Sequence, residues 1–446
     1  MCDAIMGSGK TSAAINYMCA RPRDRFIYIA PFVDEDKRIA AACPDLHFVL
    51  PDDDDHKSTK GEDLKRILYA GQSVATTHAL FGRCGDEIAD LLRDRGYSMI
   101  IDESVETMRK TDFDGGDVEI LESIGALRRG ENGELIPDKD KFPKGRSRYH
   151  SSLRHAQSSQ VWTTESGESF FWCLSDTMFR ACDRVIIMTY LFEPSILGSY
   201  FKIMNLDYRR IYVRRTSDGQ YEFCNTLCYL PEYMGRMHEL LEVISNPRLN
   251  SLCKRQNELS KKWYETQLAK RKRSARTKGA NGRLPKEQKD GLDLVNSRLR
   301  SFFGHYYGDT PADDRMWAVY KDFAKYVEHK GIHDAFLSFN ARGFNDYGNR
   351  HTLAYMVNVY PDPNIEKLLD QHGAPISKDE YALSTMVQWI WRSAIRNGEK
   401  VRLYLPSPRM RRILFEWMDA CEQEYKDLYG DQAVAPVDNY IKEDNT

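Results

Sequence analysis

The sequence predicts an α/β protein of two units, each built on a parallel sheet flanked by helices, with a basic helical or disordered insertion. Short apolar runs alternate with helix-like stretches over the first 200 residues, and the alternation resumes after residue 316. Strands separated by helices run parallel, because each helix carries the chain back across the sheet before the next strand begins. At 446 residues the chain is too long for one small domain, and its 41% apolar content is enough to bury a real core.

Taken in order, residues 26–30 (FIYIA), 73–76 (SVAT), 98–101 (SMII) and 184–189 (RVIIMT) are short and mostly apolar, and read as buried strands. Residues 11–20 and 85–95 between them read as helices. A stretch at 112–167, rich in Gly, Lys, Arg, Ser and Asp, interrupts the pattern and reads as a polar surface insertion. The acidic run 52–55 reads as a solvated loop. Further on, residues 316–330 and 377–397 read as helices, and 335–339 and 401–405 as strands. The expected division is a first domain at 1–205 and a second at 206–446.

No run approaches the roughly 18 apolar residues that span a bilayer, and no basic start with an apolar centre marks a secretory signal, so no membrane partner is expected. Ten cysteines without regular spacing, in a chain too large to need staples, point to the reducing cytoplasm. The nearest pair, Cys224 and Cys228, has no second pair or His at ligand spacing, and no metal is assigned to it. Net charge is only −2, yet residues 254–300 hold fifteen Lys and Arg against five Asp and Glu, with Lys270, Arg271, Lys272 and Arg273 consecutive. A basic arm on an acidic body is the footprint of contact with nucleic-acid phosphates; a solvated linker is the alternative.

The most specific local signal is Asp3-Ala4-Ile5-Met6-Gly7-Ser8-Gly9-Lys10-Thr11. Backbone N–H groups from Ala4, Met6, Gly7, Ser8 and Gly9 in a turn that opens a helix can surround phosphates. Lys10 would neutralise the outer two, and the Thr11 hydroxyl would ligate Mg²⁺. The general pattern has Gly where this chain has Ala4. Such a loop also needs a carboxylate at a neighbouring strand end, and the strand closing in Asp102-Glu103 supplies it: Asp102 on the metal side, Glu103 to orient or deprotonate a water. The loop starts only a few residues after Met1, so a purine is either held by other residues or read by a segment upstream of the recorded start.

With these motifs the chain resembles the superfamily 2 helicases of the DEAD/DEAH-like group, and especially phage or prophage-encoded ones with an A-x-M-G-S-G-K-T loop. Asp102-Glu103-Ser104-Val105 stands in the place of the DExx box. Tyr28-Ile29-Ala30-Pro31-Phe32 and Ala75-Thr76-Thr77-His78-Ala79-Leu80 resemble two strand-end motifs that touch the nucleic-acid backbone, which assigns Pro31, Thr76, Thr77 and His78 to the strand. Met188-Thr189-Tyr190-Leu191 falls where the family carries an S/T-A-T-type motif. Asn340-Ala341-Arg342-Gly343-Phe344-Asn345 resembles the ARG motif facing the nucleotide, giving Gly343 and Asn345 as contacts.

Residues 388–396 (QWIWRSAIR) resemble the family's QxxGRxxR, with Trp391 in place of Gly and one extra residue before Arg396; at four-residue spacing on a helix, Gln388, Arg392 and Arg396 would share one face. The resemblance implies two RecA-like P-loop domains closing on ATP and Mg²⁺, with Lys10, Thr11, Asp102 and Glu103 from the first and Gln388, Arg392 and Arg396 from the second. It further implies an ATPase that moves along or unwinds single-stranded or forked nucleic acid, DNA ahead of RNA, with phage replication proteins as partners in the host cytoplasm. A phage packaging-type ATPase and a non-catalytic ATP-binding loading protein are the competing readings.

Overall fold

The structure is a computed structural model and describes residues 1–52, 59–111, 115–130, 134–141, 160–164, 167, 169–277, 290–308, 310–341 and 347–430. The sequence expectations for Asp53 to Asp55, Gly343 and Asn345, parts of the 112–167 insertion and the last sixteen residues lie outside the described residues. Two compact units make up the chain. The first comprises Met1–Tyr229 with Pro361–Ser384, the second Leu230–Tyr360 with Thr385–Thr446. Residues 206–229 and 361–384, which the sequence assigned to the second domain, therefore pack within the first unit.

In the first unit, β1 (Cys2–Asp3) leads through the glycine-rich loop into α1 (Lys10–Cys19), followed by β2 (Arg25–Ala30), β3 (Val74–Thr77), the single-turn α2 (His78–Phe81) and β4 (Tyr97–Asp102). Five short strands intervene: β5 (Met108–Lys110), β6 (Leu127–Arg129), β7 (Glu134–Pro137), β8 (Gln160–Thr163) and β9 (Phe170–Cys173). The chain then returns to the main sheet with β10 (Arg184–Thr189), which completes the parallel order β1-β10-β4-β2-β3. Pairing of Asp3 with Thr189, Met188 with Asp102, and Ala30 with Thr77 brings the carboxyl ends of all five strands to one edge. In open parallel sheets that edge is where ligands bind.

The 112–167 stretch, expected as a polar surface loop, instead contributes to a five-stranded antiparallel sheet ordered β5-β9-β8-β7-β6. Its Val118, Leu121, Leu127, Leu135, Val161 and Phe170 form a small core of their own. On the other side, Trp162, Phe171 and Trp172 join the main core of the unit with Leu368 and Leu369. Three- and four-residue strands set among charged residues give no period long enough to read from sequence. A hairpin, β11 (Tyr212–Arg215) with β12 (Tyr221–Cys224), closes the unit.

The second unit carries a parallel sheet ordered β13-β16-β15-β14, from β13 (Leu241–Val243), β14 (Arg315–Ala318), β15 (Thr352–Tyr355) and β16 (Val401–Tyr404). The fold class is the expected one, α/β with a parallel sheet in each unit, and it fits two RecA-like lobes. Two element assignments change. Residues 316–330, expected as one helix, begin inside β14, because Met316, Trp317 and Ala318 are buried together, as a central strand requires. Residues 335–339, expected as a strand, contribute only one bridge, Phe336 to Trp317.

The basic stretch is not an appended arm. Its α3 (Lys261–Thr277) and α4 (Gly291–Ser301) put Tyr264, Leu292, Val295 and Leu299 into the core of the second unit with Trp317 and Tyr404. Further along the chain, α5 spans Lys378–Ile390.

Candidate functional site

The glycine-rich loop is shaped by backbone demands that only glycine meets easily. Gly7 (φ 83°) and Gly9 (φ 84°) both adopt left-handed conformations, and Gly9 is the N-cap of α1. No side chain caps α1, and its first turn carries no acidic residue, so its positive end is left for an exogenous anion. The Ser8 hydroxyl is buried in the loop without a hydrogen-bond partner among the described residues. Lys10 turns inward, its Nζ donating to the carbonyls of Ala4 at 2.5 Å and Ile5 at 2.9 Å. Burial pushes the Lys10 ammonium below its ordinary pKa, against the pull of Cys2, Asp102 and Asp3. A half-buried, under-compensated cation beside an uncapped helix end and an orphaned hydroxyl fits a polyphosphate.

The acidic partner is where the sequence put it. The Thr11 hydroxyl donates to Asp102 Oδ2 at 3.1 Å, and the Tyr28 hydroxyl donates to the same oxygen at 2.8 Å. Burial and the adjacent Glu103 raise the Asp102 carboxyl, while Tyr28, Lys10 and Thr11 oppose them. That residual penalty on the charged form is what a cation would relieve, so Thr11 and Asp102 fit the Mg²⁺ role. Glu103 follows in a left-handed conformation (φ 65°) with its N–H on Met188 O. For a non-glycine residue such a backbone costs about 1–3 kcal/mol and gathers at functional sites.

Around this centre the strand ends are cross-tied. Ser104 and Thr189 hydroxyls lie 2.8 Å apart, linking β10 to the turn after β4. Asp3 accepts from the N–H groups of Leu191 at 2.8 Å and Phe192 at 3.0 Å, which holds Leu191 in its own left-handed turn (φ 55°).

The residues expected to touch nucleic acid separate. Pro31 is half-buried at the end of β2, and the adjacent Phe32 is exposed. The Thr76 side chain is buried within β3. Thr77 uses its hydroxyl to cap α2, accepting from Leu80 N at 3.3 Å. His78 Nε2 lies 2.8 Å from the backbone oxygen of Asp102, so its ring is tied to the acidic turn.

In α3, Lys270, Lys272 and Arg273 are exposed, whereas Arg271 is engaged internally. Its guanidinium donates to both Asp290 oxygens, at 2.6 and 2.8 Å, and to Asp293 at 2.6 Å, clamping α3 to the start of α4.

In the second unit the single-face expectation for Gln388, Arg392 and Arg396 is corrected. Helix α5 ends at Ile390; Arg392 N and Ser393 N then bond three residues back, to Trp389 O and Ile390 O. Ser393 is extended (ψ −175°), and Ala394–Asn397 form a separate short turn. The break is imposed by neighbours: Ala394 N donates to Arg350 O, Asn397 Nδ2 to Gly348 O, and Trp391 is buried against Trp417. Gln388 is half-buried on the helix, Arg392 is buried at the break, and Arg396 is half-buried on the turn beyond.

Residues 235–418 match the family described as the YonV C-terminal Rossmann-like domain, a span that contains all of β13 to β16. Over 427 residues the chain is 27% identical to the SPbeta prophage-derived uncharacterized protein YonV of Bacillus subtilis (strain 168), covering 94% of this chain and 98% of that protein. Among solved structures, that of S. tokodaii Xpd4 aligns over 93% of both chains at 12% identity with a TM-score of 0.44. The chain is thus similar along almost its whole length to a prophage protein. Among the described residues no helix is long and apolar enough to cross a membrane.

Sequence reasoning missed three residues at the site. Tyr28 sits inside an apolar strand, where only its hydroxyl, aimed along the sheet at Asp102, distinguishes it from core. Asp3 lies next to the loop motif but acts across the sheet on residues 191 and 192. Tyr221 is more than 200 residues from the loop it packs against. No local pattern reports such contacts.

Proposed function

We propose that this chain is an ATP- and Mg²⁺-dependent nucleic-acid translocase or helicase of the superfamily 2 DEAD/DEAH-like type, acting on phage DNA. The observation that carries the reading is the constellation of the inward-turned Lys10, bonded to the loop carbonyls, with Thr11 and Asp102 hydrogen-bonded to each other at the mouth of α1. ATP would supply the phosphoanhydride whose hydrolysis drives a cycle. Lys10 and the loop N–H groups would bind the phosphates, Thr11 and Asp102 would hold Mg²⁺, and Glu103 would orient the water.

Arg392 and Arg396 would serve the charge that develops at the terminal phosphate, a role worth about 10³ to 10⁵ in rate. Gln388, Gly343 and Asn345 are assigned to the same nucleotide. The strand would be held through its backbone by Pro31, Thr77 and the exposed Lys270, Lys272 and Arg273. The similarity to a prophage protein supports a phage setting, and the surplus of basic residues in 254–300 supports a polyanionic partner.

Unwinding assays on duplexes with single-stranded 3′ or 5′ tails test this reading. ATP- and Mg²⁺-dependent release from one tail polarity is the expected result. Nucleotide binding without strand release or movement on any tailed substrate would favour the loading-protein alternative.

A further inference from the structure

The β11–β12 hairpin extends the first unit beside β1, where Ile211 bridges Cys2, and β12 packs along α1. Strand order then runs β1, β10, β4 away from the hairpin, so Asp102 and the hairpin lie on opposite sides of the phosphate loop. A triphosphate whose outer end is drawn to Lys10, Thr11 and Asp102 directs its nucleoside end toward the hairpin.

The surface it meets there has a definite chemistry. The Tyr221 ring lies so close to Gly9 that a Cβ on that glycine would stand 2.4 to 2.6 Å from ring atoms. Tyr229 meets Tyr221 edge-on, with ring centroids 5.9 Å apart, and both rings are half-buried. Asn16, seven positions beyond Gly9 and so on the same helix face, donates to Tyr221 O at 2.9 Å and to the exposed Gln220 Oε1 at 3.4 Å. An aromatic surface bordered by two carboxamides suits a planar base: the ring stacks, and a carboxamide pairs with the N6 and N7 edge of adenine.

The geometry points to the β11–β12 hairpin as the base-binding wall of the nucleotide site, with Tyr221 supporting a purine ring and Gln220 and Asn16 reading its edge. This rests on the phosphate-loop reading. The test is calorimetric titration of the full chain with Mg²⁺ and, separately, ATP, GTP and inorganic tripolyphosphate. Tyr221→Ala should weaken ATP roughly tenfold and leave tripolyphosphate unchanged, whereas Tyr221→Phe should preserve both. Gln220→Ala, an exposed change, should narrow the preference for ATP over GTP even if Tyr221→Ala fails to fold.

Equal loss of ATP and tripolyphosphate in Tyr221→Ala would overturn the proposal and make Tyr221 a brace for the loop. Unchanged ATP affinity in Tyr221→Ala, or an unchanged ATP-to-GTP ratio in Gln220→Ala, would overturn it as well. An unaltered chain that binds neither ATP nor tripolyphosphate would remove the phosphate-loop reading itself. Tripolyphosphate binding lost in Lys10→Ala would uphold that reading whichever way Tyr221 fell.

Discussion

Asp102 Oδ2 accepts two hydroxyl donors, from Tyr28 and Thr11, while its backbone oxygen is held by His78. These three ties orient a carboxylate that burial would otherwise drive toward protonation. Removing one donor from a half-buried, charged acceptor forfeits about 1–3 kcal/mol. Tyr28→Phe should therefore lower kcat for ATP roughly tenfold with little change in KM, because the residue orients the metal-side carboxylate without touching nucleotide. Steady-state kinetics decide it: a change confined to KM would show that Tyr28 acts elsewhere. Gly9 makes a sharper case. Alanine there would combine a left-handed backbone with a clash against Tyr221, and Gly9→Ala should lower the melting temperature of the first unit and abolish nucleotide-induced stabilisation in thermal shift assays.

At the scale of elements, the basic helix pair holds two kinds of cation that charge counting merged. Arg271 is a clamp, paired with Asp290 and Asp293 and only partly exposed; Arg271→Ala should lower the melting temperature of the second unit. Lys261, Lys262, Lys270 and Lys272 face solvent on the same helix. Replacing these four with Gln should leave the melting temperature unchanged and reduce the slope of log affinity against log salt by about one per lost phosphate contact. An unchanged slope would leave the lysines as a solvated face.

The amino ends of β14 to β16 are tied by His351, whose Nδ1 lies 2.6 Å from Asp314 and Nε2 2.7 Å from Glu399. Burial lowers its pKa, but Glu399 and Asp314 outweigh this and raise it above 6.5. A folded-state pKa above the unfolded one gives stability that is complete below about pH 6.5 and fades as pH climbs through the raised value. Unfolding of the second unit should become easier as pH rises above about 6.5, and His351→Gln should flatten that dependence in denaturant titrations. The parallel-sheet strands were legible because burial on both faces leaves an apolar run. The same run misled at Met316 to Val319, too short to tell a strand from the start of a helix, and the antiparallel insertion escaped notice because its three- and four-residue strands are set among charged residues.

At the scale of the molecule, the chemistry-bearing residues of the first unit converge because parallel pairing aligns five strand ends, and the loop motif and acidic strand end were readable as local patterns before any fold was known. What was not readable is what the sheet assembles: Asp3 gripping residues 191 and 192, Ser104 against Thr189, Tyr221 on Gly9. In the second unit the sequence nominates the arginines but gives no sign of the break after Ile390 that places Arg396 on its own turn, since Trp391 and Ser393 act through contacts with distant residues.

The central claim is that Lys10, Thr11, Asp102 and Glu103 serve hydrolysis that a nucleic-acid strand commands. Phosphate release by the full chain with Mg²⁺ and ATP, with and without single-stranded DNA, tests it most directly. Slow release that the strand accelerates, and that Lys10→Ala abolishes while circular dichroism stays unchanged, is the predicted result. Release that is undiminished in Lys10→Ala, or absent with every strand offered, would contradict it.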